Sequence, residues 1–104
     1  MKAEDVREVV LAEIGGQWSR SNLHGVDLRR CLVDPPQQRV YLDSFHEGAT
    51  IELWLVLEED PVGHNGYQIV YDGQRRFGLA VADNIETPTF IGWYGTFLNT
   101  LEGM

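Results

Sequence analysis

This chain has little of what staples or equips a small protein chemically. It contains a single cysteine, Cys31, so no disulfide can form within it, and a reducing compartment is expected. Its histidines, His24, His46 and His64, lie on separate segments with no His-x-x-x-His or Cys-x-x-Cys spacing, so no metal site is expected. Ser19, Ser21 and Ser44 lack the Gly-x-Ser-x-Gly elbow of a nucleophilic serine. The glycine pair in "EIGGQW" follows a helix rather than a strand and no Gly-Lys-Ser/Thr occurs, so neither phosphate-binding loop is present. No catalytic residue and no cofactor are assigned on this basis.

Long apolar runs are also missing, and no stretch is long enough to span a bilayer. The opening "MKAEDVREVV" has no signal-type hydrophobic segment, and a cytoplasmic location is expected. Positive charge is scarce. Eight Lys and Arg stand against sixteen Asp and Glu, a formal net charge of −8. Such a surface repels phosphate backbones and anionic lipid, which argues against nucleic-acid and membrane partners.

What is present is an ordinary globular composition, 43% hydrophobic over 104 residues, read as one domain spanning 1–104. A domain of this size buries roughly two-thirds of its unfolded surface and needs no staple. Residues 3–14 read as a helix. Val6, Val9, Val10 and Ile14 fall on one face, Glu4 and Asp5 favour the first turn, and Gly15-Gly16 ends it. From Val26 the period becomes alternating, and "VDLRRCLV" reads as a strand with Cys31 buried inside it as a small hydrophobe. "DPPQ" at 34–37 interrupts, because each proline removes a backbone donor, and a strand resumes at "RVYLD" with Val40 and Leu42 facing together.

The strongest strand is "TIELWLVLEE". Ile51, Leu53, Leu55 and Leu57 line one face, and Trp54 and Val56 sit between Glu52 and Glu58 on the other. Asp72-Gly73, between "YQIVY" and "QRRFGLAVA", predicts a hairpin with a type I′ turn. Gly92 and Gly95 would each cost a helix interior up to about 1 kcal/mol, so "TFIGWYG" at 89–95 is read as extended, with a helix from Thr96 onward. The fold expected is α+β: an antiparallel meander sheet of about five strands, packed by an N-terminal helix and a short C-terminal helix.

Two functional readings compete. In the first, Glu58, Glu59 and Asp60 beside His64 form an acidic patch that steers a basic protein partner, with Trp93 or Trp54 as an aromatic anchor. In the second, a small-molecule pocket between sheet and helices is lined by Arg30, His46, Tyr67 and Arg76. Arg30 attracts notice because it occupies an apolar position of its predicted strand, where a guanidinium needs a carboxylate or a ligand. In general character, an acidic α+β domain without catalytic signature resembles bacterial immunity- or antitoxin-type proteins and secretion chaperones. That resemblance implies a non-enzymatic protein-binding module, with self-association as a variant.

Overall fold

The computed structural model describes residues 1–82 and 86–104. Helix α1 (Ala3–Ile14) lies where the apolar stripe places it, with Val6, Val10 and Ile14 buried. Each such side chain contributes roughly 1.5–3 kcal/mol by leaving water. Gly15 ends the helix in the left-handed region (φ 58°), and its N–H returns to the Leu11 carbonyl.

Five strands follow in a meander: β1 (Leu32–Asp43), β2 (Thr50–Glu58), β3 (Tyr67–Tyr71), β4 (Phe77–Val81) and β5 (Thr89–Gly95). Successive strands pair antiparallel. The sheet then curls until β5 meets β1 in a short parallel ladder, Leu42 with Thr89 and Asp43 with Phe90, closing a small barrel. Its interior takes one buried residue from each strand: Tyr41, Leu53, Val70, Ala80 and Phe90. Ala80 and the neighbouring Gly78 leave room for the Phe90 and Trp93 rings, which lie 4.6 Å apart.

The larger core lies on the outer side of the barrel wall. There Val56, Leu57, Ile69, Tyr71, Phe77 and Leu79 pack against α1 and against α3 (Phe97–Gly103). Thr96 caps α3, accepting from the Asn99 N–H, and Glu13 of α1 accepts from the Phe97 N–H at 2.9 Å. The terminal segment is thus extended over 89–95 and helical from Phe97, as its glycines and Thr96 imply.

Three local readings are corrected. Residues 28–31 form a single helical turn, α2 (Leu28–Cys31), capped by the Asp27 carboxylate on the Arg29 N–H. Four residues are too few to display a helical period, so the segment passed for a strand. Arg30 is therefore exposed on α2 rather than core-facing. Second, β1 runs through "DPPQ". Its pairing jumps from Leu32 opposite Leu57 to Gln37 opposite Leu55, so the prolines sit in a bulge where no ladder donor is required. Third, the β3–β4 hairpin pairs Tyr67 with Val81, Ile69 with Leu79 and Tyr71 with Phe77. Its turn is longer than a two-residue Asp-Gly, because the Asp72 carboxylate collects the N–H groups of Gln74, Arg75 and Arg76.

Candidate functional site

A second bulge sets the chemistry at one end of the barrel. In β2, Leu55 pairs with Val70 and Leu57 with Ile69, leaving Val56 unmatched. Beyond that point the alternation inverts. Val56 and Leu57 both join the helix-side core, and Glu58, opposite Gln68, turns to the barrel side. Strict alternation would have placed Leu57 inside the barrel and Glu58 outside.

Glu58 thereby lines a cavity of about 360 Å³ with Arg39, Tyr41, Gln68, His64, Glu86 and Pro88. Glu58 is 8% exposed and Gln68 6%. The Tyr41 hydroxyl donates to Gln68 Oε1 at 2.9 Å. His64 Nδ1 lies 2.7 Å from Glu58 Oε2. His64 reaches that position through a left-handed backbone (φ 57°), held by its N–H on the Asp60 carbonyl at 2.8 Å. Burial pushes the Tyr41 hydroxyl far above the ordinary tyrosine range. Arg39 and Glu58 act on it through space with opposite signs, lowering and raising it respectively.

The rest of the acidic segment does not form one patch. Glu59 turns to the other side, where its carboxylate pairs with His24 and accepts from the Tyr67 N–H at 3.1 Å. Asp60 folds back on its own loop, accepting from the Val62 and Gly63 N–H groups. Trp93 is half-buried, with its face covered by the Arg76 guanidinium 4.2 Å from the ring centroid. Trp54 is likewise half-buried against the helix-side core. Of the first predicted set, the structure brings only Glu58 and His64 together in a cavity.

The second set is dispersed. Arg30 lies exposed on α2, and His46 pairs with Asp43 in the β1–β2 turn. Tyr67 stacks on His24 at 5.7 Å, and Arg76 pairs with Asp72 beside Trp93. None of the four lines the barrel-mouth cavity. A smaller apolar cleft of about 180 Å³, between α1 and the start of β1, is lined by Trp18, Leu11 and Val33 with Arg7 and Arg29 at its edge. The guanidinium of Arg29 covers Trp18 there, and Arg7 is bound to Asp34.

An apolar strip marks the barrel seam. Val40, Leu42, Phe45 and Ile91 are 50%, 42%, 64% and 36% exposed. Two of them owe their exposure to register. Tyr41 takes the inward place on β1, so Val40 and Leu42 face out. Ile91 is the extra residue of a bulge in β5, between Leu79 opposite Gly92 and Ala80 opposite Phe90. Phe45 follows in the β1–β2 turn, edge-on to Phe90 at 6.3 Å. The seam ladder carries bonds from Leu42 N–H to the Pro88 carbonyl and from Ser44 N–H to the Phe90 carbonyl. It stops there because the next donor toward Val40 would be Pro88, which has no N–H.

Sequence reasoning missed Arg39, Tyr41, Gln68 and the seam residues. The "RVYLD" alternation was legible, but it does not say which of its two faces points inward.

Among the described residues no group of three or more His, Cys, Asp and Glu side chains is placed to hold a metal ion, and no helix is long and apolar enough to cross a membrane. No protein-family model, curated protein or solved structure matches the chain.

Proposed function

We propose that this chain is a non-enzymatic protein-binding module of the cytoplasm, and that it docks a basic protein partner on the β1/β5 seam. The observation that carries the reading is the exposure of Val40, Leu42, Phe45 and Ile91 along one junction of the barrel. Apolar anchors ringed by charge suit such an interface. Glu52 stands opposite Val40 in the β1–β2 ladder, and Glu47 shares the turn with Phe45, so the ring is acidic. Two copies of a chain with a net charge of −8 repel one another, which favours a basic partner over self-association. The seam replaces the 58–60 carboxylates as the contact surface, since Glu58 is nearly buried in the cavity and Glu59 and Asp60 are committed to His24 and their own loop.

The test is affinity capture from the source organism's lysate, with wild-type and Leu42→Asp baits run side by side at low and high salt. The expected result is a basic protein held by the wild type at low salt, released at high salt, and reduced at least tenfold on the variant. A protein retained equally by both baits would move the interface away from the seam.

A further inference from the structure

The barrel-mouth cavity has a composition that a docking module does not need. Gln68 is 6% exposed, and its carbonyl is taken by Tyr41. Its amide nitrogen makes no hydrogen bond among the described residues, and no buried side-chain nitrogen or oxygen among them lacks a partner, so this nitrogen is open to the cavity that Gln68 lines. Its two N–H donors are thereby available to an acceptor that enters the cavity. Its register partner Glu58 brings a carboxylate into the same space, paired among the described residues with the largely exposed His64. Arg39 contributes a guanidinium at the rim, anchored to Gln37 Oε1 at 2.6 Å. The cavity thus sets a nearly buried anionic acceptor, Glu58, against cationic and neutral donors, Arg39 and Gln68, with the Tyr41 hydroxyl on Gln68 and the exposed Glu86 as a second carboxylate in its lining.

We infer that this cavity binds a small zwitterion of the amino-acid class, its ammonium on Glu58 and its carboxylate on Gln68 Nε2 and Arg39. The volume of about 360 Å³ lies at the small end of ligand cavities and suits a single amino acid rather than a nucleotide or a larger cofactor. A simple cation would leave Gln68 and Arg39 unanswered, and a simple anion would meet Glu58. Only a ligand carrying both charges a few bonds apart satisfies the two ends together. His64 lies on Glu58 Oε2, where an arriving ammonium either displaces it or shares the carboxylate with it.

The experiment is a titration of the whole chain with each of the common free L-amino acids, followed by ¹H–¹⁵N correlation spectra that include the Gln68 side-chain amide. The best binder is then compared with its analogue lacking the amine and its analogue lacking the carboxylate. Expected are saturable shifts of the Gln68 amide with a Kd at or below about 1 mM, near −4 kcal/mol, and at least tenfold weaker binding by each analogue. Glu58→Gln and Arg39→Gln should each weaken binding at least tenfold. Arg39 is exposed, so its variant reports even if Glu58→Gln fails to fold. The inference is overturned if no amino acid shifts the Gln68 amide at 10 mM (about tenfold above the expected Kd), if either analogue binds as well as its parent, or if Arg39→Gln leaves the affinity unchanged.

Discussion

Tyr41 and Gln68 join β1 to β3 through the middle of the barrel. The hydroxyl of a tyrosine with no exposed surface donates to the amide oxygen of a glutamine that is 6% exposed. The pair makes a five-residue interior layer polar at one end without leaving the hydroxyl unsatisfied. Tyr41→Phe should therefore destabilise the fold by about 1–2 kcal/mol, since it strips Gln68 of its partner. Urea denaturation of the two proteins measures the difference.

The same burial sets an alkaline limit. The Tyr41 hydroxyl ionises far above the ordinary tyrosine range in the folded chain, chiefly through desolvation. The unfolded chain ionises first, so the stability this group supplies is complete below about pH 10 and is eroded as pH rises beyond it. Stability measured between neutral and strongly alkaline pH should fall less steeply in Tyr41→Phe than in the wild type. Equal slopes would place the hydroxyl in contact with water.

Asp72 sets the corresponding limit on the acid side. Burial tends to raise its carboxyl, but the N–H groups of Gln74, Arg76 and Arg75, with the Arg76 side chain, hold it below the usual carboxylate value. Its contribution is present above the ordinary carboxylate range and is lost as pH falls through the lowered value. Asp72→Ala should cost about 1–2 kcal/mol at neutral pH and flatten the acid limb of the stability curve. An unchanged acid limb would mean that the hairpin turn is organised without this carboxylate.

Gly78 is required by proximity rather than by backbone conformation. A Cβ there would lie 2.4 Å from the Gly92 carbonyl oxygen and 2.9 Å from the Phe90 ring. Gly78→Ala should destabilise by about 2–3 kcal/mol or abolish folding, because the obstacle is strand backbone that cannot turn aside. Gly48→Ala, with open space but φ 76°, should cost only about 1 kcal/mol. Thermal unfolding of the two variants orders the effects.

Cys31 ends α2 as a buried residue, 3% exposed, and burial pushes its thiol's ionisation upward. Its nucleophilic form is correspondingly scarce at neutral pH. Reaction with a thiol reagent should be slow in the native protein and complete within seconds to minutes in denaturant. Immediate reaction of the native protein would show that α2 opens readily.

Periodicity identified the parts of the fold that are governed locally. The stripe Val6, Val10, Ile14 marked α1, and the glycines of 89–95 with Thr96 marked the change from strand to helix. Features that depend on partners distant in sequence were not legible. The Val56 bulge inverts the facing of Leu57 and Glu58, and nothing in "LWLVLEE" betrays it. Barrel closure rests on Leu42 and Asp43 meeting Thr89 and Phe90, a contact between two ends of the sheet. That closure decided whether Tyr41 or its neighbours Val40 and Leu42 would face inward. The charged run at 58–60 looked like one patch because its members are adjacent in sequence. A strand end and a loop then sent the three carboxylates to three different partners.

Photo-cross-linking at the seam tests most directly whether it is the docking surface. A photoreactive phenylalanine analogue at Phe45, in cells of the source organism, is compared with the same analogue at Glu8 on the exposed face of α1. One discrete adduct with a basic protein is expected from position 45 and none from position 8. No adduct from position 45, or the same adduct from both positions, would contradict docking at the seam.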